Sequence, residues 1–231
     1  MNLAVIPARG GSKRIPRKNI KNFAGLPIIA WSIRTALESE CFDRVLVSTD
    51  DEEIAEVATQ FGAEAPFLRP ANLSDDHTTT VPVIAHAINW QQQNAIRPDY
   101  VCCIYATSPL ILASDIKLGL QIAKQTNASY AFSVTSYGFP IQRALRLTTE
   151  KRLEMLHPEH LNTRSQDLEE VWHDAGQFYW GKTKAWLDEQ PIFSADSVPV
   201  PLPRYRVQDI DTPDDWARAE WMRRALNQVD V

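Results

Sequence analysis

Apolar positions along the chain fall alternately into short runs and helical spacings. Leu3–Ala8 is an apolar run that opens into a Gly-rich loop, the pattern of a buried strand. Pro27–Ser39 carries Ile28, Ile29, Ile33, Ala36 and Leu37 at helical spacing. Arg44–Ser48 predicts a second strand. Asp50 then caps a helix through Ile54, Val57, Ala58 and Phe61, with Gly62 at its end. Glu64–Leu68 predicts a weaker third strand, and Val81–Trp90 a helix with Val81, Ile84, Ala85 and Ile88 on one side. Tyr100–Tyr105 is a strong buried strand. Ile116–Ala123 follows as a helix capped near Ser114 or Asp115, and Tyr130–Val134 as another strand.

The regularity breaks after residue 137. Residues 138–173 mix Pro140, Pro158 and both signs of charge, and read as an insertion that leaves the main sheet. A strand at Ala175–Trp180 and a short helix near Lys182–Leu187 resume the pattern. Residues 196–203 are Pro-rich and extended. Tyr205–Ile210 predicts a last strand. Pro213–Leu226 predicts a closing helix, with Pro213 in its first turn and Asp214 and Asp215 at the positive end of its dipole.

Strands alternating with helices predict a three-layer α/β/α fold around a mostly parallel, Rossmann-like sheet. The length of 231 residues suits one domain, 1–231, with the insertion inside it. In such sheets ligands sit beyond the carboxyl ends of the strands. The loops after Ala8, Ser48 and Tyr105 are therefore expected to line the site.

Composition narrows the picture. An apolar fraction of 44% and a charged fraction of 23% are ordinary for a globular protein. The net charge of -5 argues against general nucleic-acid binding. No run approaches the length of a membrane span, and the N-terminus lacks a signal-peptide pattern, so a cytoplasmic protein is expected. Cys41, Cys102 and Cys103 form neither a disulfide framework nor a zinc motif.

Against that acidic background, the segment from Arg9 to Lys21 stands out, with six cationic side chains and no acid. It follows the first strand directly. Gly10 and Gly11 let backbone N–H groups approach a ligand, and Ser12 and Asn19 add polar groups. Lys and Arg supply charge for a triphosphate, and Arg binds phosphate through two hydrogen bonds. A solvated basic loop or an RNA contact is the alternative. The absence of aromatics in residues 9–22 counts against RNA.

Gly176–Thr183 matches the Walker A pattern letter for letter. Its inner residues, Gln177–Trp180, are bulky strand formers, so a phosphate-cradling loop is not expected there.

Asp209 and Asp211 stand two apart at the end of the last predicted strand. In an extended chain their side chains share a face and form a hard oxygen site for Mg²⁺. The competing reading has Asp211 capping the last helix, supported by Thr212. Softer candidates are Arg69, Asp75, Asp76 and Thr78–Thr80 in a polar loop, the Tyr105–Pro109 loop, and Arg164, Gln166, His173 and Asp174. His157 and His160 are read as surface residues.

Several of these segments together resemble the cytidylyltransferases that activate nonulosonic acids, the CMP-sialic acid synthetase family. They are Ile6–Lys13, Pro16–Asn19, Val47–Asp50, Arg69-Pro70 with Leu73–Asp76, Thr107–Pro109 and Asp209–Thr212, in family order across nearly the whole chain. Within the family, Lys13–Lys18, Tyr105-Ala-Thr107, Thr163–Asp167 and His173–Trp180 look most like members acting on pseudaminic acid. Members acting on legionaminic, N-acetylneuraminic or Kdo sugars remain alternatives, as does a non-catalytic nucleotide-binding regulator.

The resemblance implies a reaction in which CTP and a nine-carbon 2-keto sugar acid give CMP-sugar and pyrophosphate. It implies that Arg9, Gly10, Gly11, Ser12, Lys18 and Asn19 hold CTP, with Arg9, Lys18 and Asp211 in catalysis. It places Arg69, Thr78 and Thr80 on the nucleotide, the two threonines near the base. Tyr105, Arg164 and Gln177 would face the sugar, and Asp209 and Asp211 would hold Mg²⁺. It also implies a homodimer formed through residues 138–173.

Overall fold

The computed structural model describes residues 1–228. The elements run β1 (Asn2–Pro7), β2 (Asn22–Phe23), β3 (Leu26–Pro27), α1 (Ile28–Glu38), β4 (Arg44–Ser48), α2 (Glu52–Gln60), α3 (Thr80–Gln93), β5 (Tyr100–Ile104), α4 (Ala113–Thr126) and β6 (Tyr130–Ser136). They continue as β7 (Leu145–Leu147), β8 (Leu153–Met155), β9 (Trp172–Lys182), α5 (Thr183–Leu187), β10 (Ser197–Pro201) and α6 (Pro213–Gln228). The six-stranded sheet has the order β10-β6-β9-β5-β1-β4. Its pairs are parallel except where β9 runs antiparallel between β6 and β5.

Alternation along β1 creates the layers. Ala4 and Ile6 enter a core with Ile29 and Ile33 of α1, Ile54 of α2 and Ile116 of α4. Leu3 and Val5 enter a second core with Ile84 and Ile88 of α3 and Trp186 of α5. Both sheet faces are thus covered, which is why β1 reads as a continuous apolar run. Each fully buried aliphatic side chain contributes roughly 1.5–3 kcal/mol relative to exposure. Cys102 and Cys103 are fully buried, one in each core.

A third, smaller cluster positions the site. Ile15 of the basic loop, Phe23, Ile28, Ile210, Trp216 and Ala219 pack together. The Phe23 and Trp216 rings meet edge-on at 5.3 Å. This cluster ties the first basic loop to the chain that precedes α6.

Four local expectations change. The cap of α2 is Asp51, whose Oδ1 accepts from Ile54 N at 3.0 Å; Asp50 instead accepts from Gly10 N. Residues 64–68 form only single bridges, Glu64 with Leu46 of β4 and Leu68 with Thr49 just past it, because Pro66 lacks the donor that a strand needs. α4 starts at Ala113, and Asp115 sits inside its first turn, accepting from Leu112 N at 2.9 Å. Residues 205–210 form no strand. A short 3-10 turn, Arg204–Arg206, replaces it, since Arg206 turns inward to pair with Asp115.

That ion pair is almost fully enclosed, with both side chains 9% exposed. Asp115→Ala leaves the Arg206 charge buried without a partner, and is expected to cost about 3 kcal/mol in urea unfolding. An unchanged midpoint would show that Arg206 escapes to water.

The Pro-rich stretch joins the sheet as β10, beside β6. It is an edge strand, where Pro199 and Pro201 are tolerated because their missing donors face outward. Residues 138–171 leave the sheet and carry the β7–β8 hairpin.

Candidate active site

A cavity of about 620 Å³ opens beyond the carboxyl ends of β1 and β5. The chain winds outward from β1 to β4 on one side and to β5 on the other, so this is where the sheet order reverses. The loops after β1 and β5 line the cavity, together with the 69–80 segment; the loop after Ser48 lies behind it.

Four of the six loop cations line the cavity: Arg9, Lys13, Arg14 and Lys18. The other two face elsewhere. Arg17 adopts a left-handed φ of 55° and forms ion pairs with Asp51 and Glu53. Lys21 places its Nζ 4.8 Å from the Trp216 ring centroid. Ser12 and Asn19 also line the cavity, and the buried Asn19 donates through Nδ2 to the Arg9 carbonyl at 2.9 Å. Asn19 thereby fixes the backbone that carries Arg9.

The glycines act differently from expectation. Gly10 spends its N–H on Asp50 Oδ1 at 3.0 Å, and neither Gly10 nor Gly11 lines the cavity. A Cβ on Gly10 would lie 2.6 Å from Asp51 Oδ2, so glycine there permits packing against the start of α2.

Each cavity cation is held by an acid. Arg9 Nη1 donates to Asp76 Oδ1 at 2.6 Å and to the Asp75 carbonyl at 3.0 Å, and Lys13 also pairs with Asp76. Hydrogen bonds from these two cations hold the Asp76 carboxyl below the usual range. Asp75 Oδ1 accepts from Thr78 N and Thr78 Oγ1, both at 2.7 Å, which shapes the turn. Exposed pairs of this kind are weak because water screens them, so a polyanion exchanges for them readily. Sequence reasoning gave Lys13 and Asp76 no ligand role of their own; their opposite charges in two distant polar loops were the available signal.

The last segment enters from the far end of the chain. Lys18 Nζ donates to the Ile210 carbonyl at 2.6 Å and lies 3.4 Å from Asp211 Oδ1. Arg14 Nη1 donates to Asp211 Oδ2 at 2.8 Å. The Ile15–Ile210 cluster beneath accounts for this meeting of residues almost two hundred positions apart. Asp211 does not cap α6. Thr212 and Asp215 do so reciprocally: Thr212 Oγ1 accepts from Asp215 N, and Asp215 Oδ2 accepts from Thr212 N.

Asp211 lines the cavity; Asp209 lies beside it without lining it. Desolvation, then the charge of Asp211, raises the Asp209 carboxyl above the ordinary range. Two adjacent carboxylates of this kind fit a hard divalent cation that keeps water and phosphate as its other ligands. Among the described residues, no group of three or more His, Cys, Asp or Glu gathers that could hold a metal.

Arg69, Thr78, Thr80 and Tyr105 line the cavity. Arg69 is buried, donating to Ser74 Oγ at 3.1 Å and to the Ser48 carbonyl at 3.3 Å. Thr80 Oγ1 and Tyr105 Oη are 3.0 Å apart. Two expected sugar-facing residues lie elsewhere. Arg164 is exposed in the insertion and pairs with Asp167 at 2.7 Å. Gln177 is buried in β9, its Nε2 donating to the Arg206 carbonyl at 2.7 Å, because that turn needs an acceptor satisfied. His157 and His160 sit in an exposed turn.

The Walker-like octapeptide is strand for most of its length, with Lys182 ending β9 and Lys182 Nζ donating to the Asn127 carbonyl at 2.5 Å. Lys182→Ala is expected to leave turnover within twofold of the parent in a steady-state assay. A large loss without unfolding would restore a phosphate role.

Fold and cavity together define a nucleotide-handling α/β protein with a polyanion site at the sheet's switch point. The family model described as "Cytidylyltransferase" matches residues 3–220. A pseudaminic acid cytidylyltransferase from Campylobacter jejuni is 49% identical over 215 residues, covering 93% of this chain and 92% of its own. A CMP-N,N'-diacetyllegionaminic acid synthase from Legionella pneumophila is 33% identical, covering 98% of this chain and 97% of its own. Among solved structures, a CMP:2-keto-3-deoxy-manno-octonic acid synthetase complexed with CTP superposes with a TM-score of 0.68 at 18% identity, covering 98% of both chains, and shows the shared fold. The chain belongs to the cytidylyltransferase family and is a nucleotidyltransferase.

Proposed function

We propose that the enzyme transfers CMP from CTP to pseudaminic acid, giving CMP-pseudaminic acid and pyrophosphate for surface or flagellar glycan synthesis. The observation that carries this reading is the 49% identity to the Campylobacter pseudaminic acid enzyme over nearly the full length of both chains. The legionaminic acid relative, at 33%, stands further away.

In this reading the triphosphate replaces Asp76 on Arg9 and Lys13. Lys18 sits between the phosphate loop and Asp211, where a cation offsets charge building on the α-phosphate. The anomeric hydroxyl of the sugar acid forms the new O–P bond as the bond between the α-phosphorus and pyrophosphate breaks. Arg69 braces the nucleotide pocket from beneath, and Thr78 and Thr80 face the base. Tyr105 stands at the border between base and sugar. Asp209 and Asp211 would hold Mg²⁺, which when bound polarises phosphate oxygens and acidifies an attacking hydroxyl. Asp211 is in reach of Lys18 and Arg14, which keep its carboxylate aimed into the cavity.

Within residues 138–173, Phe139, Leu147 and Leu153 are exposed at 87%, 68% and 69%. Such a surface supports a homodimer formed through this segment. A cytoplasmic location suits the use of CTP, and no described helix is long and apolar enough to cross a membrane.

The sugar is tested by competing equimolar pseudaminic, legionaminic and N-acetylneuraminic acids for CTP and quantifying the CMP-sugars. Pseudaminic acid should dominate. Dominance of either rival overturns the substrate.

A further inference from the structure

The four cations of the cavity are divided between two acids. Arg14 and Lys18 pair with Asp211, and Arg9 and Lys13 pair with Asp76. Asp76 bridges its two cations. Its Oδ1 accepts from Arg9 Nη1 at 2.6 Å, and its Oδ2 accepts from Lys13 Nζ. Two oxygens on one anionic centre, each facing a different cation, are what a phosphate group presents to such a pair. Asp76 thus occupies Arg9 and Lys13 much as a phosphate would.

The surrounding loop presents this carboxylate without using it. Asp75 Oδ1 accepts from His77 N at 2.9 Å and from Thr78 N and Thr78 Oγ1, both at 2.7 Å, which closes an Asx turn. The Asp75 carbonyl accepts a further hydrogen bond from Arg9 at 3.0 Å. Among the described residues, Asp76 accepts only from Arg9 and Lys13 and from no group of its own loop. Its side chain can therefore rotate away while the turn keeps Thr78 in place. Hydrogen bonds from Lys13 and then Arg9 hold its carboxyl below the usual range, so it carries its charge at neutral pH.

We propose that Asp76 is a built-in competitor for the phosphate subsite, weakening the hold of Arg9 and Lys13 on pyrophosphate and so limiting inhibition by this product. The proposal rests on the reading above that the phosphates of CTP lie on these two cations. Without a competitor, two free cations would attract any polyanion, including the one the reaction must release. With Asp76 in place, an arriving anion has to break both ion pairs, and a departing anion is replaced by the carboxylate. Both pairs are exposed to water, so the competition changes affinity by a modest factor rather than by orders of magnitude.

The test is the Kd of inorganic pyrophosphate, measured by calorimetry on the full chain in metal-free buffer, with thermal melting as a control for folding. Asp76→Asn keeps the shape and removes the charge, and should lower the Kd about fivefold. Asp76→Ala should lower it to a similar extent. In both variants the Kd should rise more steeply with added KCl than in the wild type, because salt then screens cations that Asp76 had covered. Asp188→Asn removes an equal charge from an exposed pair with Lys184 and should leave the Kd unchanged. An unchanged or higher Kd in both Asp76 variants would overturn the proposal. An equal gain in Asp188→Asn would also overturn it, by making the effect one of net charge. The double variant Arg9→Ala and Lys13→Ala should raise the Kd at least about tenfold. If it does not, the phosphates lie elsewhere, and the reading beneath the proposal falls with it. If it does while the Asp76 variants match the wild type, the phosphate subsite stands and the competitor alone is overturned.

Discussion

Replacing Asp209 and Asp211 together by alanine should lower kcat/KM by about 10⁴-fold and abolish its dependence on Mg²⁺. The expectation rests on three observations. Asp211 lines the cavity and is aimed by Arg14 and Lys18. Asp209 stands two residues away, its carboxyl raised above the ordinary range by desolvation and then by the charge of Asp211. Helix capping is done by Thr212 and Asp215, so the pair is free for chemistry. The double variant should keep its fold, because Ile210 between the two acids continues to pack on Ile15. A steady-state Mg²⁺ titration of pyrophosphate release checks it. Full Mg²⁺-dependent activity in the double variant would remove the metal site.

Lys18→Met should reduce kcat about 10³-fold with a smaller change in KM for CTP. Methionine keeps the apolar stem and deletes the charge. Among the cavity cations, Lys18 contacts both the segment bearing the acids and Asp211 itself. Arg9 and Lys13 face Asp76 instead, and their replacement should act mainly on triphosphate affinity. A Lys18→Met variant with raised KM and unchanged kcat would make Lys18 a simple binding residue.

Much of this was legible in residue order. Continuous apolar runs at Leu3–Ala8 and Tyr100–Tyr105 mark strands buried on both faces, and the basic loop after the first of them falls beside the cavity. What sequence left open was settled by tertiary partners. Tyr205–Ile210 has the look of a strand, but the Arg206–Asp115 ion pair and the Gln177 contact pull it into a turn. Gln177 lies in a segment that resembles the family's sugar site; within β9 its side chain is buried and donates to the Arg206 carbonyl instead of lining the cavity. Gly10 has the look of a phosphate-loop glycine, and its spacing from Asp51 gives a packing reason instead. The meeting of Lys18 with Asp211 is carried by Ile15 and Ile210, two ordinary apolar residues whose contact no local pattern reveals.

The most direct test of the central claim follows the phosphorus. CTP labelled at the α-phosphorus is incubated with the enzyme, Mg²⁺ and pseudaminic acid, and the products are separated. The label should appear in CMP-pseudaminic acid with one pyrophosphate released per product. Label that stays in CTP, or that is released as free CMP without a sugar conjugate, would contradict cytidylyl transfer to this sugar acid.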